Sequence, residues 1–157
     1  MNILKKYILP SLGISLLLAM YFIPLYFFED MPDKIPKHFN KHGAVNVWTP
    51  KGFIYLIPMI ATALYLFIEL LGKFIPYALK KMDYIEEEIN NFLSLAVLML
   101  RTFNLLFMVV FFYVTLTTVM ISLGKWEGLS PNLTSAIFTG FFALIVTFVF
   151  RFSKLKE

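Results

Sequence analysis

The only two histidines in this chain, His38 and His42, fall four residues apart in the run H-F-N-K-H. On a helix that spacing sets two imidazoles on one face, as zinc metalloproteases do with H-E-x-x-H, where the glutamate activates water. Phe39 occupies the glutamate's place, so the general base is absent and a protease reading fails. Three roles stay open for the pair. One is a plain metal site completed by Asp33 or Glu29. A second is a structural His38 bonded to loop backbone, since imidazole both donates and accepts. The third is a ligand-contacting or pH-sensitive role. The expectation carried forward is no metal and no cofactor.

A second constellation is charge set inside apolar sequence. Glu69 and Arg101 each interrupt a long hydrophobic run, and Asn104 lies three residues beyond Arg101, on the same helical face. A charged side chain at the bilayer centre costs about 2.5–3.5 kcal/mol on insertion scales, so such groups face the protein interior and pair. If the second and third runs form a hairpin, Glu69 and Arg101 meet as a structural ion pair. Interfacial snorkelling and a transport or proton-relay role are the alternatives. The absence of cysteine excludes disulfides, thiolate catalysis and cysteine-ligated metals. No nucleophile–base pair, phosphate loop or paired carboxylates stand out, and an enzyme is not expected.

The elements that must position these groups are membrane spans. Of 157 residues, 59% are hydrophobic and 15% charged, against about 25% charged in an average soluble domain. The reading is an all-α integral membrane protein, with four transmembrane helices in an antiparallel bundle. Spans are expected over 7–28, 52–71, 93–123 and 133–150, with residues 29–51 forming a structured outer loop. The first span is too long for a signal-peptide core and is read as retained. Pro24 near its outer end should kink or end it.

After the second span, Phe74 to Leu79 is apolar but short and is expected along the headgroups. Lys80, Lys81, Asp83 and Glu86 to Glu88 follow as a solvated turn. The third run would be about 46 Å long as a helix, longer than the ~30 Å hydrocarbon layer, so Arg101 sits either in the interior or at the surface. Thr115, Thr117, Thr118 and Ser122, and then Thr134, Ser135, Thr139 and Gly140, suit close helix packing.

Lysine and arginine bear on the expected orientation. Lys5, Lys6, Lys73, Lys80, Lys81, Arg151, Lys154 and Lys156 fall on the side of the termini. Lys34, Lys37, Lys41, Lys51 and Lys125 fall on the other. The eight-to-five bias places both termini in the cytoplasm and the histidine loop outside. The basic balance is that of a membrane protein, and nucleic acid is not an expected partner.

The loop itself reads as a rigid cap. Pro32 and Pro36 fix backbone angles and push their predecessors towards extended geometry. Gly43 supplies a turn and Trp48 suits the membrane interface. The cap would present His38, Asn40 and His42 over the mouth of the bundle.

The run Met31-Pro32, Ile35-Pro36, His38-Phe39-Asn40, Gly43 and Trp48, followed by an apolar span with Pro58, resembles the domain of unknown function 1648. That module is a helix, a Pro/His loop and a second helix. It organises the chain as residues 1–76, with 77–157 forming a turn and a C-terminal helical hairpin. The better understood carriers of the module are SdpI-type bacterial immunity proteins, which protect a producer from its own peptide toxin. The resemblance implies a bacterial cytoplasmic-membrane protein, with a toxin contact at Pro32, Pro36, His38, Asn40, His42, Gly43 and Trp48. A transporter or channel subunit using Glu69, Arg101 and Asn104 is the alternative, as is a subunit of an envelope complex. The expected surroundings are the lipid bilayer and a peptide or membrane-protein partner, and self-association as a homo-oligomer is left open.

Overall fold

A computed structural model describes residues 7–81 and 87–154. Lys5, Lys6, Lys156 and the acidic turn from Asp83 to Glu86 lie outside the described residues. Four helices alternate in direction: α1 (Leu9–Tyr26), α2 (Leu56–Lys81), α3 (Glu87–Ser122) and α4 (Pro131–Ser153). Each is long and apolar enough to cross a membrane, and the chain is an all-α, four-span membrane protein. Pro24 lies within α1, two residues before its end. Ser130 caps α4 by accepting the Leu133 amide at 3.4 Å, with Pro131 at the first helical position.

The segment expected along the headgroups is not separate. α2 runs unbroken through Gly72 and Pro76 to Lys81, and Phe74 and Tyr77 project outward from it. A proline's ring meets the carbonyl four residues earlier, and here that residue is Gly72, around which a side chain would find open space.

The outer loop is regular, and its regularity is β. Strands β1 (Lys34–Phe39) and β2 (Val45–Pro50) pair antiparallel, and a 3-10 turn (Lys51–Tyr55) leads into α2. The extended bias before Pro36 and the Val-x-Val-Trp-Thr run both favour strand. Asn40 builds the connecting turn. Its side-chain oxygen accepts from the His42 and Ala44 amides at 2.9 and 3.1 Å, and its carbonyl accepts from the Gly43 amide at 2.9 Å. Gly43 completes the reversal at φ +83°.

Two cores organise the rest. Leu17, Met20, Ala61, Tyr65 and Met108 join α1, α2 and α3. Nearer the hairpin, Met31, Ile35 and Ile54 close over Val119 of α3. α3 touches α1, α2, α4 and β1, and α4 packs mainly on α3. Its 36 residues reach about 54 Å, well beyond a bilayer's hydrocarbon.

α4 begins lower down, because the Ser130 amide donates to the Tyr113 hydroxyl at 2.8 Å. The last turns of α3 therefore stand past the start of α4, and the hairpin covers them. Thr115, Thr117 and Thr118 are buried in this region, in keeping with close packing. On α4 that expectation is not met within the chain. Ser135 and Thr139 are exposed, Thr139 bonds the Ser135 carbonyl of its own helix, and Gly140 has open space around it.

The hairpin turn docks on the segment that joins α3 to α4. Ala44 and Gly128 form an antiparallel bridge, and the Leu129 amide donates to the Gly43 carbonyl at 2.9 Å. The approach is close enough to demand glycine on both sides. A Cβ on Gly128 would lie 2.3 Å from the Gly43 oxygen, and one on Gly43 would lie 2.2 Å from the Leu129 oxygen. Gly128→Ala should therefore lower stability by about 1–3 kcal/mol, the cost of forced overpacking. Gly140→Ala should leave it unchanged or slightly raised. Thermal unfolding of both variants in detergent checks this pair of outcomes.

Candidate functional site

Where the hairpin turn meets the α3–α4 connection, the two segments border an open cleft of about 640 Å³. Gly124, at φ +68°, reverses the chain after α3, and the Lys125 amide donates back to the Met120 carbonyl at 2.9 Å. The connection then runs along the hairpin turn as far as Ser130. His42 and Gly43 form one wall of the cleft, Trp126 and Glu127 the other, with Tyr113 and Leu133 contributed by α3 and α4. The volume lies within the range of small-molecule and side-chain pockets. An indole, a phenol, an imidazole and a carboxylate around an apolar floor can bind and orient an amphipathic group.

The structure distributes the sequence-derived candidates unevenly. His42 and Gly43 line the cleft, and Asn40 shapes the turn that carries them. His38 sits in β1 and lines a separate, smaller cavity with Pro36, so the two histidines do not converge on one helical face. Among the described residues no three metal-ligating side chains come together. Pro32 is exposed ahead of β1, and Trp48 is half exposed on β2. Tyr113, Trp126 and Glu127 were missed by sequence reasoning. The available signal was the second tryptophan, set in Gly-Lys-Trp-Glu-Gly between two spans.

The charged residues inside the apolar layer are brought together. Arg101 Nε lies 3.8 Å from Glu69 Oε2, and the two side chains are only 10% and 13% exposed. Beside them Asn104, 1% exposed, donates from Nδ2 to the Tyr65 carbonyl at 3.3 Å. Tyr65 in turn donates its hydroxyl to the Pro10 carbonyl at 2.9 Å, and its ring fits against α1 because Gly13 has no side chain. One polar chain thus stitches α1, α2 and α3.

Ring contacts fix its depth. Phe92 meets Phe152 at 5.0 Å and Phe103 meets Phe141 at 6.0 Å. Together with the contacts of Phe103 to Phe148 and of Phe107 to Phe141, they set Arg101 beside the second half of α4, ahead of Arg151. Arg101 is an interior residue.

Residues 15–62 match a family model described as a domain of unknown function, DUF1648. The match takes in α1 from Ser15 onward, the hairpin and the head of α2. It supplies one wall of the cleft and stops short of Tyr113, Trp126 and Glu127. Glu69, Arg101 and Asn104 all lie beyond it. No curated protein and no solved structure matches the chain.

If the Glu69–Arg101 contact is structural, removing one partner should cost more than removing both. Glu69→Leu alone takes the carboxylate away from a buried guanidinium and should destabilise the protein by about 3 kcal/mol. Glu69→Leu combined with Arg101→Leu should recover most of that loss. A double-mutant cycle on unfolding in detergent micelles provides the measurement.

Proposed function

We propose that this chain is a membrane-embedded binding protein of the immunity type, engaging a membrane-directed peptide toxin at the cleft between hairpin turn and α3–α4 connection. The carrying observation is the cleft itself: about 640 Å³, held open by backbone bonds between two segments remote in sequence. The resemblance of the first helix–loop–helix to the SdpI-type immunity proteins supports the choice of ligand class. The lysine and arginine bias supports a cleft on the outer face of a bacterial cytoplasmic membrane, where such a peptide arrives.

The mechanism in this reading is capture. Trp126 and Tyr113 offer rigid aromatic surface at low entropic cost, as interface anchors do. Glu127 is the carboxylate on the cleft wall and can receive a basic peptide group. Asn40 acts at one remove, by holding the turn that carries His42 and Gly43.

The test is survival of a sensitive bacterium expressing the chain, challenged with peptide toxins encoded near its gene. The intact chain should protect. Trp126→Ala should lower the tolerated dose about tenfold, the effect of losing a hot-spot contact, and Asn40→Ala should lower it by releasing the turn that carries His42, both at unchanged membrane levels. His38→Ala, outside the cleft, should protect as well as the parent. Absence of protection by the intact chain overturns the reading. Ion or substrate flux in proteoliposomes, lost in Glu69→Gln, would instead move the function to the buried pair.

A further inference from the structure

A second cavity, about 190 Å³, lies under the hairpin and shares no lining residue with the cleft. Most of its wall is apolar: Ile35 and Pro36 from β1, Phe53 and Ile54 from the 3-10 turn, Leu56 and Ile57 from the head of α2. Phe53 and Leu56 are 52% and 46% exposed, although they open a membrane span. The hairpin lies beyond that span's head. The cavity therefore straddles the boundary between hydrocarbon and headgroups.

Its mouth is cationic. Consecutive strand residues normally face opposite ways, yet Ile35, Pro36, Lys37 and His38 all line this cavity. A break in register explains it. Pro36 pairs with Trp48 and His38 with the adjacent Val47, which leaves Lys37 bulged out of the ladder. Lys37 and His38 are exposed, and no carboxylate lines the cavity. Lys51, by contrast, is already engaged, 3.4 and 3.5 Å from the Phe28 and Met31 carbonyls and over the Phe28 ring.

An apolar recess beneath a cationic lip is ill suited to water, which needs several polar partners. It is complementary to an amphiphile carrying a negative charge. The geometry points to a site for an acidic phospholipid of the leaflet on the hairpin side, the headgroup-proximal part of one acyl chain in the recess and its phosphate at Lys37 and His38. Such a lipid would pin the hairpin to the helix heads from the membrane side. The site stands independently of the peptide reading.

The full chain can be reconstituted in nanodiscs of equal phosphatidylglycerol and phosphatidylcholine, released into mild detergent, and its retained lipids counted by native mass spectrometry. Phosphatidylglycerol should be retained in preference. Lys37→Gln should lower its retention about fivefold, the effect of one lysine near an anionic headgroup. Lys34→Gln, outside the cavity, should not change it. Ile57→Trp, which fills the recess, should abolish it.

Equal retention of the two lipids, or equal effects of Lys34→Gln and Lys37→Gln, would overturn the site. So would competition by glycerol phosphate as effective as that by the lipid, since the acyl chain would then contribute nothing. Should Ile57→Trp unfold, the exposed Lys37→Gln variant decides the outcome alone.

Discussion

Hydrocarbon offers a peptide group no hydrogen-bond partner, so a chain that crosses it stays helical wherever it is immersed. Among the described residues, the long non-helical stretches are 27–50 and 123–130, and both fall at the same end of the bundle. Neither could satisfy its backbone alone as well as the two do together. The Ala44–Gly128 bridge and the bond from the Leu129 amide to the Gly43 carbonyl turn separate connections into one cap. The cleft follows from that closure, because the two backbones touch at the glycines and diverge around Trp126 and His42.

α3 is the element on which the cap is raised. Its excess length carries Thr115 to Ser122 past the start of α4, into the space under the hairpin. The hydroxyls there would be costly in lipid but are covered by protein, and Thr118 and Ser122 bond carbonyls one turn back in their own helix. Val119 on the same stretch receives Ile35 and Ile54. A helix cut to the thickness of the bilayer would leave the hairpin nothing to pack against.

Much of this was legible in the sequence and some was not, for physical reasons. Four apolar runs of spanning length announce four helices, and Ser130-Pro131 announces the start of the last. The hairpin was readable in principle: Asn-Lys-His-Gly between Lys-Ile-Pro-Lys-His-Phe and Val-Asn-Val-Trp-Thr is a turn between strand-forming runs. Proline is rare within a ladder because it removes a donor, so a strand through Pro36 runs against the usual pattern. Here the strand has only one partner and a bulge follows directly, so the loss is tolerated. The cleft was illegible because its walls lie about 85 residues apart, from His42 to Glu127, and only their docking makes a site. Glu69 and Arg101 could be singled out by the expense of charge in hydrocarbon, a constraint that acts at any sequence separation.

The polar chain and the cleft occupy different depths of the same helix. From Arg101 to Tyr113 is about 18 Å along α3, with Met108 and the aromatic residues around it packed between. The Glu69–Arg101 contact joins α2 to α3 within the apolar layer, while the cleft depends on backbone contacts at the cap. A perturbation at one should reach the other only by shifting α3 as a body, because a close-packed interior resists local deformation. The division would suit the proposed binding role: the buried polar groups are fixed in the layer where mispaired charge is most costly, and the cleft side chains are confined to the end of the bundle that carries the cap.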